Sequence, residues 1–162
     1  MTHVMIDMET WGVRPGSALR SLGAVVFDPK TGALGKTFYA NIDDESCARA
    51  GLTQDQSTID WWAQQSAEAR EALAVNPRSL LEVLVDFRDW FEGVGGECVW
   101  SHGATFDAVL LESAYRALDA EPRRHQAGGD PDQPEASTAQ DRHREWRRWR
   151  PAAPAGVSSG AA

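Results

Sequence analysis

The chain has 162 residues, 42% of them apolar, with 24 acidic and 16 basic side chains and a net charge of −8. That length and apolar share suit one domain with a single core, and no apolar run is long enough to span a bilayer. The negative charge argues against a protein that grips nucleic acid through an overall basic field; it fits carboxylates gathered around metal ions, and equally any acidic soluble protein.

Residues 3–9 alternate, with Val4, Ile6 and Met8 on one side and Met5, Asp7 and Glu9 on the other, which predicts a strand carrying an acidic pair at its end. Arg14-Pro15-Gly16 predicts a turn, and Ala18–Asp28 a largely apolar second strand. Pro29-Lys30-Thr31-Gly32 reads as a hairpin-type turn into a third strand over Leu34–Ile42. A helix capped by Ser57 or Thr58 is expected through Ile59, Trp61, Trp62 and Ala63, and Ser66-Ala67-Glu68 opens a short one. Pro77–Phe91 carries Leu80, Leu81, Leu84, Phe87 and Phe91 at helical spacing and ends at Gly93. A fourth strand follows over Glu97–Ser101, then a helix over Phe106–Leu118.

The last forty or so residues differ in kind. From residue 121 onward there is no Ile, Leu, Met, Phe, Tyr or Lys, and Arg, Ala, Pro and Gly dominate. Such a segment buries too little apolar surface to offset its ordering entropy. The expected division is a domain over 1–122 and a Pro/Ala/Gly/Arg-rich tail over 123–162. The tail reads either as a disordered extension with a basic patch at Arg142–Arg150 or as out-of-frame translation of a GC-rich gene. The second is favoured because the domain stops before its sheet is complete. Cys47 and Cys98 lie far apart with no second pair to suggest zinc, and the N-terminus has no cationic-then-apolar leader. Reduced thiols in a cytoplasmic protein are expected.

Asp7-Met8-Glu9 is a weak signal alone, since many strands end in exposed acids. Its strand has apolar neighbours and precedes two more, so it is expected at the sheet's centre. Carboxylates buried there are costly unless paired or bound to metal, and no basic residue adjoins them in sequence. The second cluster runs Trp100-Ser101-His102-Gly103-Ala104-Thr105-Phe106-Asp107. Asp107 opens a helix, where an acid is favourable for capping alone. Gly103 allows close backbone approach, and Phe106 offers a face for stacking or for core packing.

Asp7-Met8-Glu9-Thr10 with Gly12, then Ser21-Leu22-Gly23-Ala24-Val25-Val26-Phe27-Asp28, resembles the first motif and second strand of DEDD-type 3′–5′ exonucleases. Trp100–Asp107 resembles their second motif. Thr53, Ser57-Thr58-Ile59-Asp60-Trp61-Trp62 and Gln65-Ser66 resemble the small phage and bacterial 3′–5′ exoribonucleases related to phage exonuclease A. The resemblance implies an α/β fold with an RNase H-like mixed sheet: three antiparallel strands, then a helix-connected strand, with the C-terminal part incomplete. It implies hydrolysis at the 3′ end of single-stranded RNA, with DNA the alternative substrate and no membrane partner. It implies two divalent metals, Mg²⁺ or Mn²⁺, held in part by Asp7, Glu9 and Asp107 as metal ligands and catalytic residues. Met8 and Thr10 would frame the terminal nucleotide, and Phe106 would lie near its base. His102 stands where relatives often carry Asn and reads as a surface or contact residue.

The family's third motif is His-x-x-x-x-Asp, which supplies a general base and a fourth carboxylate. His125 and Asp130 have the bare spacing, but they follow the Asp107 helix too directly, and Gly128, Gly129 and Pro131 oppose the helix that should start there. Activity is therefore expected to be impaired. The alternatives are a catalytically inactive pseudo-nuclease that holds RNA or protein, and a truncated non-functional product.

Overall fold

The computed structural model describes residues 1–102 and 106–120, the last by its backbone alone. Period-two alternation makes β1 (Thr2–Thr10), and the largely apolar β2 (Leu19–Phe27) and the more exposed β3 (Leu34–Asn41) follow it. Asp28 fixes the β2–β3 turn by accepting from the Lys30 N–H and the Thr31 hydroxyl, and Gly32 supplies a positive φ of 75°. β4 (Gly96–Trp100) completes a four-stranded sheet in the order β3-β2-β1-β4. β1 is antiparallel to β2 and parallel to β4, so the strand with the acidic pair lies inside the sheet, as its apolar neighbours predict. Among the described residues β4 pairs on one side only, and its Val99 and Trp100 are exposed.

Five helices are described: α1 (Asp44–Arg49), α2 (Gln56–Ala63), α3 (Ala67–Ala72), α4 (Leu80–Gly93) and α5 (Asp107–Ala120). The long helix starts three residues later than Pro77 because Ser79 and Glu82 form a reciprocal capping box. α1 has no counterpart in the sequence reading. Asp43 caps it by accepting the Ser46 N–H at 2.8 Å.

Val4, Ile6 and Met8 of β1 share the core with Leu22 and Ala24 of β2. They pack with Leu80, Val83, Leu84 and Phe87 of α4 and with Leu110, Ala114 and Leu118 of α5. Tyr115 ties the two helices together by donating its hydroxyl to the Leu84 carbonyl at 2.9 Å. Covering this face with α4 and α5 leaves Asp7 and Glu9 on the other. No helix among the described residues is long and apolar enough to cross a membrane. The tail, with the 122/123 boundary, His125 and Asp130, lies outside the described residues.

Candidate active site

Strand alternation puts Asp7 exposed and Glu9 half-buried on the face away from the core, at the C-terminal end of β1. Asp107 arrives from the other side, as the first residue of α5. It is 3% exposed, and its carboxylate accepts the Met8 backbone N–H. The three acids named from sequence thus lie within electrostatic reach of one another around the end of β1.

Their charges act on one another. Burial holds the Glu9 carboxyl above its ordinary value, the negative charges of Asp7 and Asp107 push it further up, and the Arg20 guanidinium pulls it back. Burial also raises Asp107, again with help from Asp7, against the Met8 N–H, its own N–H and His102. Like charges held this close are a ready place for a cation, and carboxylate oxygens are the donors that Mg²⁺ and Mn²⁺ prefer. Among the described residues, no three His, Cys, Asp or Glu side chains stand close enough to hold one ion as a group. The carboxylates share a field, not a common ligand point.

The remaining named residues fall out unevenly. Met8 turns its side chain into the core, so only its backbone faces the site. Thr10 is buried and donates its hydroxyl to the Gly12 carbonyl at 2.6 Å. A Cβ on Gly12 would lie 2.4 Å from the Ser17 hydroxyl oxygen and 2.8 Å from Asp55 Oδ2, so a side chain in this turn after the acidic pair would force Ser17 and Asp55 to move. Phe106 is half-buried against the core cluster beside Asp107. His102 is exposed. Gly103 lies outside the described residues.

A family profile, the 3′–5′ exoribonuclease Rv2179c-like domain, matches residues 2–150. The chain belongs to this family. Its match runs past the last described residue. The exodeoxyribonuclease of Enterobacteria phage T4 is 26% identical over 131 residues, covering 73% of this chain and 57% of the phage protein; the chain spans little more than half of that relative. Exonuclease I shares the fold at a TM-score of 0.50 and 13% identity, over 71% of this chain and 24% of that one. The nuclease domain of 3′hExo, a DEDDh family member solved with rAMP, aligns at a TM-score of 0.49 and 13% identity, over 75% of this chain and 62% of that domain. Family membership thus rests on the exoribonuclease-like profile, and the RNase H-like mixed sheet is the fold shared with exonuclease I.

Within this exoribonuclease-like domain the sequence reading missed Arg20. The β1–β2 register passes from Glu9↔Ser21 to Thr10↔Leu19, so Arg20 is the extra residue of a bulge. Its guanidinium lies 4.0 Å from the Trp11 ring centroid and 4.4 Å from that of Trp62. Trp62 donates its indole N–H to the Thr10 carbonyl at 2.9 Å, and Trp11 donates to Asp44 at 2.6 Å. Arg20 Nη1 is buried and finds no hydrogen-bond partner among the described residues. The Trp61-Trp62 pair thus places one indole, that of Trp62, behind the acidic strand, while Trp61 stays exposed.

The raised Glu9 carboxyl has a consequence for stability. A folded-state value above the ordinary 4.5 means the folded chain holds the proton more tightly than the unfolded chain does. Glu9 therefore costs stability as pH rises through and beyond that window. Glu9→Gln is expected to raise the melting temperature of the metal-free protein at pH 7, with the gain vanishing below about pH 4.5. Thermal melts of both proteins at pH 4 and pH 7 check this; an equal gain at both would show that the carboxylate's charge is not the cause.

Proposed function

We propose that the chain is a metal-dependent exonuclease that shortens single-stranded RNA from its 3′ end, with Mg²⁺ or Mn²⁺ held by Asp7, Glu9 and Asp107. The observation that carries this is the meeting of Asp107 with the end of β1, where its carboxylate takes the Met8 N–H within the field of Asp7. Two metal ions bound there would supply Lewis acidity, easing water attack at the scissile phosphate and neutralising charge on the leaving 3′ oxygen. The protein's own part is to hold the acids in place. The Arg20 charge partly offsets the burial and like-charge repulsion that raise Glu9, and Asp107 is oriented by a backbone N–H. The Met8 and Thr10 backbone would frame the terminal nucleotide, and Phe106, next to Asp107 in the chain, would lie near its base.

The choice of RNA rests on the family's exoribonuclease description. The T4 relative is named for DNA, so the two substrates belong in one experiment. With 5′-labelled single strands and Mn²⁺, the full chain is expected to give a ladder that shortens from the 3′ end, faster on RNA than on DNA of the same sequence. Loss of the label as mononucleotide, or equal rates on both, would contradict the reading.

The rate is expected to be slow, because α5 runs to Ala120 and leaves only Glu121-Pro122-Arg123-Arg124 before His125. Four residues leave no room for both a connection and the strand that should precede the third motif. A positioned general base contributes roughly 10²–10⁴-fold. His125→Ala is therefore expected to leave the rate unchanged; a large loss would make His125 the base after all.

A further inference from the structure

Of the charged side chains that act on Glu9, Arg20 alone is positive. The β1–β2 bulge takes it out of the strand alternation, and bulges beside active sites serve to re-aim a side chain. Its guanidinium packs on the rings of Trp11 and Trp62, and both indoles are themselves pinned. Trp11 donates to Asp44 of α1, and Trp62 to the Thr10 carbonyl at the end of β1. Trp62 is also a wall of the groove that Asp7, Glu9 and Tyr39 line, so Arg20 is held against the acidic site. A planar cation stacked on two fixed rings has lost much of its rotamer freedom before any ligand arrives.

The side chain is held but not used. Among the described residues it makes no hydrogen bond and no ion pair, and its Nη1 is buried without a partner. Asp44 and Glu9 act on it through their charge alone. By contrast Arg49, Arg78, Arg88 and Arg116 each pair with a carboxylate. An unfilled buried donor is rare and costly. A guanidinium presents its N–H groups as a rigid fork that matches two oxygens of one phosphate.

We infer that Arg20 binds a backbone phosphate of the single strand and so positions that strand over the acids; the inference rests on the exonuclease reading above. A chain of net charge −8 whose site gathers Asp7, Glu9 and Asp107 repels a polyanion. A fixed cation at the edge of those acids offsets the repulsion where the strand must come closest. The contact is to phosphate, so it carries no base preference. The rival reading makes Arg20 only a counter-charge for Glu9 and Asp44. That role needs neither the planar fork nor the two-ring stack, and it leaves the buried Nη1 donor without a purpose.

The test is fluorescence anisotropy of the full chain with a 5′-labelled single-stranded RNA in Ca²⁺, over a range of KCl, with a gel to show that the RNA stays intact. The wild-type protein is expected to lose affinity as salt rises. Arg20→Met keeps much of the stacked bulk without the charge. It should weaken binding at low salt by about tenfold or more. It should also flatten the plot of log affinity against log salt by about 0.7, the share of one phosphate on a single strand. Oligo(A) and oligo(U) should lose alike. Arg20→Lys should keep the wild-type slope while losing part of the affinity, since an ammonium retains the charge and not the planar stack. A neutral methylphosphonate placed at each linkage in turn locates the contact: one position should cost the wild-type protein affinity and cost Arg20→Met little. Thermal melts check folding, and Arg20→Gln serves where Arg20→Met does not fold. A wild-type slope near zero overturns the inference without any variant. So does a wild-type slope in a folded variant that lacks the charge, because a fall in affinity alone marks the stack as structural. A scan with no such linkage overturns it too. RNA shortening that is lost in Asp7→Ala, with an unchanged salt slope in Arg20→Met, removes the phosphate contact and leaves the exonuclease reading standing. Shortening that survives Asp7→Ala removes the reading itself.

Discussion

Asp7→Ala is expected to lower 3′–5′ hydrolysis of single-stranded RNA on the order of 10²–10⁴-fold while leaving the fold at least as stable as before. The activity term follows from the role of the ions: a metal site contributes several kcal/mol of charge stabilisation, and each 1.36 kcal/mol or so is tenfold in rate. The stability term follows from electrostatics. Asp7 is exposed, and its charge pushes both Glu9 and Asp107 up. Removing it relieves repulsion and opens no cavity in the core. Loss of activity with a retained or raised melting temperature marks a residue kept for chemistry at the expense of stability. A labelled-RNA time course paired with a thermal melt gives both numbers. Falling stability together with falling activity would mark Asp7 as structural.

Phe87→Ala is expected to have the opposite signature. Phe87 is 1% exposed and lies at the junction of α4 with the sheet. Its ring meets Phe38 of β3 edge-on at 5.5 Å and lies 6.1 Å from both Trp90 and Phe91. Truncation removes the contact that pins α4 over β3 and leaves a cavity that neighbouring aromatic rings fill poorly. Such changes cost about 3–5 kcal/mol, against a total of roughly 5–15 kcal/mol for a domain of this kind. Urea denaturation should show the midpoint falling by a third or more, with Phe87→Leu losing much less. An unchanged midpoint would mean that the aromatic cluster is peripheral to the fold.

What was legible in the sequence is what local periodicity encodes. The alternation at Val4–Glu9 gave a strand with its acids on one face, and the spacing of Leu80, Leu84 and Phe87 gave α4. Phe106-Asp107 following a short apolar strand gave an acid at the start of α5. The pieces that were not legible depend on register and on distant partners. Arg20 enters the site because a bulge takes it out of the alternation between Leu19 and Ser21. Nothing at those positions announces a bulge. Tyr39 borders the site because Gly23 lies between it and Asp7, and its orientation comes from Asn41 and two carbonyls of the α3 region. α1 has only six residues, too few to display a helical period, although Asp43-Asp44-Glu45 at its cap and first turn is a recognisable N-terminal acid run. Met8 and Thr10 carry the family motif, yet their side chains point into the core or bond within the turn.

The central claim is that Asp7, Glu9 and Asp107 together make a divalent-cation site. Isothermal titration of the full chain with Mn²⁺ tests it most directly, because the readout is binding and does not depend on the rate of hydrolysis or on His125. Saturable binding by the wild-type protein is expected, with the heat lost in each of Asp7→Ala, Glu9→Ala and Asp107→Ala. Binding heats in these three variants equal to that of the wild type would contradict the account.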